Sequence, residues 1–331
     1  MTQSASTRLC AWITPEQIPL LAELLDLGGY SLEAVGHDGR SGEASQMGEA
    51  LGVQSCTSPR QLGEIASQSI VLLGVIPDME SEVLRDTLGG ASHVITLEPC
   101  PDTIRSISGD ALISSGRPWV FAPLWRATEG MRTLHEAIEA STPPRVVSLS
   151  CVSPLGCASL GARLFDAMDA VLSLSGEPEW VDAMIHAPRH GGFQLQAGNR
   201  LTTLFGEMTV HVRGIEGVSA TVTLSDRGGR WTRSLLALGD AGIMRCEHDR
   251  FSWTHADGEA VEDDDADAGR SFARSVHETI QRELDIHSPT WRPVEHHRVL
   301  AMCEAALLSA RTGQPESPAT IMRMSGVETS V

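Results

Sequence analysis

Leu160–Pro178, LGARLFDAMDAVLSLSGEP, is the stretch whose reading decides the fold. At helical period, Leu164, Phe165, Met168, Val171 and Leu172 share one wide apolar face. Arg163, Asp166 and Asp169 fall opposite, beside the small residues Ala162 and Ala170. Gly176 then Pro178 supply a helix stop. Such a helix buries one face and turns its small and acidic side either to water or into a cleft.

Upstream, short apolar strands alternate with helices. Arg8–Ile13 reads as a strand, and Thr14-Pro15-Glu16-Gln17 is a helix-start phrase, with Pro19 able to move the start onward. Leu20, Leu21, Leu24 and Leu25 carry that helix to Gly28-Gly29. Ser31–Val35 is a strand ending at His37-Asp38, and Ser45–Leu51 and Pro59–Ala66 are helical. Ile70–Ile76 is apolar throughout, as suits the middle of a parallel sheet. Glu80–Leu88 is again helical and His93–Leu97 a strand. This alternation predicts an α/β doubly wound parallel sheet.

Downstream, Arg145–Val152 opens a second unit. Trp180–His186, Thr202–Val212, Val218–Leu224, Ser234–Leu238, Ile243–Glu247 and Phe251–Thr254 have strand character, separated by turns such as Asp226-Arg227-Gly228-Gly229. The expectation is an α+β domain with a large, mostly antiparallel, open sheet. The domains are set at 1–122 and 123–331. Too few helices remain to cover both sheet faces, so one apolar face is expected to pair with another chain, most simply in a homodimer. Phe272, Val276, Ile280 and Leu284 form one later helical stripe, and Val299, Leu300, Cys303, Ala306, Leu307 and Ala310 another.

Composition narrows the chemistry. The 331 residues carry a formal charge of −18, which argues against nucleic acid or an anionic membrane surface as partner. All 25 basic residues are arginine and Tyr30 is the only tyrosine, so no lysine Schiff base and no Tyr-x-x-x-Lys dyad exists. The seven cysteines show no C-x-x-C spacing, which suits buried thiols in a reducing compartment. Cys100, between prolines and without a companion histidine, reads as structural. The histidines at 186, 190, 248, 255, 296 and 297 make no metal motif, and the acidic run Asp257–Asp267 lacks calcium-loop spacing. The N-terminus has no signal-peptide pattern and no run nears about 18 apolar residues. The chain reads as soluble and cytoplasmic.

The element order and several phrases resemble the Gfo/Idh/MocA oxidoreductases. The helix running to Gly176-Glu177-Pro178 is similar to the first helix of that family's substrate domain. Val75-Ile76-Pro77 resembles its strand end beside the cofactor, His93–Pro99 (HVITLEP) its strand ending Glu-Lys-Pro, and Trp119–Trp125 the strand leaving its nucleotide domain. Glu304–Gly313 (EAALLSARTG) resembles its last helix, and Ser317–Met324 its closing strand. The resemblance implies NAD(P)-dependent oxidation or reduction of sugars or cyclitols, with an open sheet used to oligomerise.

It also implies four residues that are missing. Aligned on Pro99, the family's Glu is Leu97 and its catalytic Lys is Glu98; shifted by one, the Lys place is Pro99. The family's helical Asp and His fall on Ala162 and Asp166. The Gly-rich phosphate turn is Ile13–Gln17, where Pro15 removes an N–H and Glu16 brings a carboxylate to a phosphate position. The leading expectation is therefore a catalytically degenerate member without a bound cofactor. It would serve as a binding or partner subunit with a sugar-sized pocket, alone or beside an active paralogue. The alternatives are an NAD(P) enzyme with carboxylate acid–base chemistry, or a purely structural subunit. Cleft candidates are Glu98, Asp166, Asp169, Arg163 and Arg126, with Glu98 and Asp166 expected to form an acidic site relieved by Arg126 or Arg163. Thr14, Asp38, Ile76 and Pro77 would touch a nucleotide if one binds. No metal is expected.

Overall fold

The computed structural model describes residues 6–38, 41–107, 119–186, 195, 200–215, 217–248, 250–262, 271–285 and 294–326. His190 and the part of the acidic run from Asp263 on lie outside the described residues. Six strands, β1 (Thr7–Trp12), β2 (Tyr30–Gly36), β3 (Gln54–Cys56), β4 (Ile70–Leu73), β5 (His93–Thr96) and β6 (Trp119–Phe121), form one sheet in the order β3-β2-β1-β4-β5-β6. Every pairing in it is parallel. The strand order reverses between β1 and β4, so the crevice that this topology offers a ligand opens at Ile13 and Gly74.

Period-two alternation builds the layers. Leu9, Ala11 and Ile13 point to one face of the parallel sheet, and Cys10 and Trp12 to the other. The first face is covered by helix α1 (Ile18–Asp26) through Leu21 and Leu24. Helices α2 (Ser41–Leu51), α3 (Pro59–Ile65), α4 (Ser81–Thr87) and the short α5 (Ile104–Ile107) complete the first half, with Leu62 and Leu84 under the second face. The fully buried β4 matches its apolar reading, since a central parallel strand meets helices on both sides.

After helix α6 (Glu129–Glu139), a second sheet begins with β7 (Val146–Val152). Helix α7 (Leu160–Ser175) follows, then β8 (Pro178–His186), β9 (Glu207–Gly214), β10 (Ser219–Ser225), β11 (Thr232–Gly239), β12 (Gly242–Glu247), β13 (Arg250–His255) and β14 (Ala260–Glu262). Their order is β14-β13-β12-β11-β7-β10-β9-β8, antiparallel except where β7 meets β10. The second sheet thus has eight described strands rather than six. The predicted strand 202–212 divides into a 3-10 turn, Leu201–Thr203, and β9.

Helices α8 (Phe272–Leu284), α9 (His296–Thr312) and α10 (Pro318–Met324) close the chain. The expected closing strand at 317–324 is this last helix; Ser317-Pro318 starts it, and only Glu316 bridges to Val181. The stripe Phe272, Val276, Ile280 packs against α1 in the core of the first half. A helix encoded after the second sheet therefore returns to the first. The outward row of the second sheet includes Ser148, Ser150, Thr209, His211, Thr221 and Thr223, with Val146 and Ile243 among its few exposed apolar members. The expected exposed apolar face is instead largely hydroxyl-bearing, because the apolar parity of strands β7 to β13 turns toward the core that holds α7 and α9.

Candidate functional site

The first turn after β1 is a 3-10 turn, Pro15–Gln17, not a glycine loop. Gln17 is buried, and its Oε1 accepts from the Thr14 backbone N–H at 3.0 Å. Its Nε2 donates to the Gly74 carbonyl at 2.9 Å. One side chain therefore spans the crevice from the end of β1 to the end of β4. A Cβ at Gly74 would lie 2.3 Å from Gln17 Oε1, so the bridge as it stands needs glycine there. The Glu16 carboxylate accepts from its own backbone N–H and from Thr14, which holds it below the usual carboxylate range. Gly156, at φ +82°, brings its loop onto this turn, where a Cβ would lie 2.6 Å from the Glu16 carbonyl oxygen.

Of the nucleotide-contact candidates, Thr14 has its N–H engaged by Gln17, Pro77 is buried and Ile76 half-buried, and Asp38 is exposed. The neighbouring His37 faces Glu43 at 3.3 Å. A dinucleotide pyrophosphate requires free amide donors and room at this turn. The residues present supply a carboxylate, two prolines and a bridging amide, and they do not fit that group.

The cleft candidates are equally enclosed. Helix α7 begins at Ser159, whose hydroxyl caps it by accepting from Ala162 N–H at 3.0 Å. Ser159 also donates to Glu98, its backbone N–H to Oε1 at 2.7 Å and its hydroxyl to Oε2. Glu98, just past β5, thereby ties the parallel sheet to the start of α7. Burial pushes its carboxyl up to about 7 against those two hydrogen bonds.

The polar side of α7 faces neither water nor an open cleft. Arg163, Asp166 and Asp169 are 0%, 0% and 3% exposed. Asp166 Oδ1 accepts from the Trp125 backbone N–H at 2.6 Å, and Oδ2 lies 3.3 Å from Arg233 Nη1. Asp169 pairs with Arg126 at 2.8 Å, and burial nonetheless raises its carboxyl to about 6. The expected relief of Asp166 by Arg163 is not what forms. Arg233 takes that role, and Arg163 stacks between Trp231 (4.5 Å) and Phe272 (4.8 Å). The acidic open site expected from Glu98 and Asp166 is thus a buried, bonded one, because β11, α8 and the 3-10 turn at Trp125–Ala127 close over the helix.

Sequence reasoning missed Gln17, Ser159, Trp231 and Arg233. Two had local signals: Ser159 stands one residue before the helix as a cap, and Arg233 shares inward strand parity with Leu235 and Ala237. Beside this cluster lies a groove of about 880 Å³ between α1, residues 154–157, the start of β11, the β12–β13 turn and the start of α8. Among the described residues, no group of three or more His, Cys, Asp or Glu could hold a metal ion, all seven cysteines are free thiols, and no helix is long and apolar enough to cross a membrane.

No model of a known protein family matches this chain, and no curated protein matches it in sequence. Solved structures do match it. An oxidoreductase from Agrobacterium radiobacter, in complex with NAD+, L-tartaric acid and magnesium, superposes with a TM-score of 0.68 at 13% identity, over 96% of this chain and 100% of that one. The UDP-N-acetylglucosamine 3-dehydrogenase GnnA from Acidithiobacillus ferrooxidans gives 0.66 at 16% identity, over 93% and 99%. A super-repressor mutant of Gal80p from Saccharomyces cerevisiae gives 0.65 at 10% identity, over 99% and 100%. The parallel six-stranded sheet followed by the eight-stranded, mostly antiparallel sheet is the two-domain fold of the Gfo/Idh/MocA-type dehydrogenases.

Proposed function

We propose that this chain is a small-molecule-binding or partner subunit that has the dehydrogenase fold without dehydrogenase chemistry. The observation that carries this reading is the Gln17 bridge from Thr14 to Gly74, with Glu16 beside it. A bound pyrophosphate would have to break both bonds and approach a carboxylate kept ionised by its own turn. The acid–base alternative requires a carboxyl that reaches substrate, and Glu98, Asp166 and Asp169 are at most 4% exposed. The groove of about 880 Å³ has room for a sugar-sized ligand. The open sheet face offers a surface for a second copy or an active paralogue.

Calorimetric titration with NADH and NADPH tests the reading. No saturable binding is expected; a dissociation constant of about 10 μM or tighter, ~7 kcal/mol, defeats it.

A further inference from the structure

The groove beside α1 is lined by three arginines, Arg230, Arg233 and Arg250, and by three glutamates, Glu16, Glu23 and Glu247. These charges balance in number but are not mixed in space. The side formed by α1 and the turn before it supplies Glu16 and Glu23 and no cation. The side formed by β11 and the β12–β13 turn supplies all three arginines against Glu247 alone. The remaining walls, residues 154–157 and the start of α8, carry no charged side chain. The groove is therefore polarised, acidic on its helix side and basic on its sheet side.

The two sides do not neutralise one another. Arg233 is turned to Asp166, 3.3 Å away, and Glu16 is kept ionised by its own turn. Arg230, Arg250, Glu23 and Glu247 are exposed and form no ion pair among the described residues. A lone anion or a lone cation would satisfy one side and meet its own sign on the other. A ligand that carries both charges satisfies both sides at once. Between them the surface is apolar: Leu20 is half-buried, Leu155 is 69% exposed, and Trp231 and Phe272 complete the wall.

We propose that this groove binds an apolar α-amino acid as its zwitterion, with the ammonium toward Glu16 and Glu23 and the carboxylate toward Arg230 and Arg250. Arginine suits the carboxylate end, since its planar fork matches a carboxylate in bidentate fashion. The apolar side chain lies against Leu20 and Leu155, which otherwise face water in a concave wall. A space of about 880 Å³ is ample for a ligand of this size. The proposal rests on the reading of the chain as a small-molecule-binding protein, and its test is separate. NADH binding would defeat that reading and leave this test standing, while failure here leaves the nucleotide result untouched.

The experiment is calorimetry of the full chain near neutral pH with three probes that share one ring: phenylalanine, phenylacetate, which lacks the ammonium, and phenethylamine, which lacks the carboxylate. Phenylalanine is expected to bind saturably with a dissociation constant of about 1 mM or tighter, and each single-charge probe about tenfold more weakly. Two variants address the two sides: Glu23→Gln on α1, and Arg230→Ala/Arg250→Ala on the sheet. All three positions are exposed, so each variant should keep the parent's unfolding midpoint. Glu23→Gln should weaken phenylalanine about fivefold without weakening phenylacetate, and the arginine double variant should weaken it about fivefold without weakening phenethylamine. Absence of saturable phenylalanine binding by about 10 mM overturns the proposal. So does a single-charge probe that binds as tightly as phenylalanine, or either variant binding phenylalanine as the parent does.

Discussion

Glu98, held at the N-terminal cap of α7, and Asp166, in the second turn of that helix, are both buried acids, and they are kept in different ways. Glu98 has two donors from Ser159 and no ion pair. Asp166 has one backbone donor and the Arg233 guanidinium. In each, desolvation is the largest influence and raises the carboxyl above its ordinary range. Neutral hydrogen bonds at Glu98 fasten one sheet to the next domain's first helix. At Asp166 a charge is fixed inside a stack of aromatic rings. A buried acid at a position where the family resemblance implies a catalytic group is thus a fastening here, and the kind of fastening decides how the protein responds to mutation and pH.

The sharpest way to break the comparison is Asp166→Ala. It leaves Arg233 and Arg163 buried together without a carboxylate, and denaturant unfolding should show a loss of about 3–5 kcal/mol. A loss below about 1 kcal/mol would mean that the cation–π stack alone compensates both charges.

Next comes pH. Glu98 binds its proton more tightly folded, at about 7, than at its ordinary 4.5. The folded state therefore holds more protons between these values, and stability falls as pH rises through the window. The span corresponds to roughly 3 kcal/mol. Asp169, raised to about 6 from 3.8, acts in the same direction at lower pH. Glu98→Gln, which keeps an acceptor for Ser159, should remove the Glu98 part and leave the variant more stable than the parent at pH 8. A parent whose stability rises from pH 5 to 7 would contradict the assignment.

Gln17→Ala takes the neutral fastening out of the crevice and should cost about 1–2 kcal/mol by losing two hydrogen bonds. It should not create NADH affinity, because Glu16 and Pro15 remain. The smallest effect belongs to Arg163→Leu. Replacing a guanidinium that has no ion pair with an apolar side chain should change stability by less than about 1 kcal/mol, in either direction. A loss of several kcal/mol would show that Arg163 holds Glu98 or Asp166 through space.

Much of the fold was legible. Arg8–Ile13 was legible as a strand and Ile70–Ile76 as an apolar one suited to the middle of the sheet, whereas the division of Leu9, Ala11 and Ile13 from Cys10 and Trp12 onto two faces was not. The stripe Phe272, Val276, Ile280 announced a packed helix but not its destination, since periodicity says that a face is buried and not against what. The closing strand at 317–324 was what the resemblance implies; Ser317-Pro318 starts a helix there instead, in a segment too short for periodicity to decide. The candidate site was legible in its absences, the missing lysine and the missing glycine turn, and not in its replacements. Gln17 resembles any helix-start glutamine until β4 is seen to place the Gly74 carbonyl 2.9 Å from its amide.

The sequence by itself therefore determined the elements, their order and the chemistry that is unavailable, because these follow from periodicity and residue type within short windows. The tertiary structure alone decided which arginine meets Asp166, that Arg163 meets none, and that the polar side of α7 is sealed. Those outcomes depend on β11 and α8, encoded far along the chain, returning over a helix whose local pattern could equally have faced water. The free energy of a buried charge is set by the partners the fold brings to it, and no local pattern contains them.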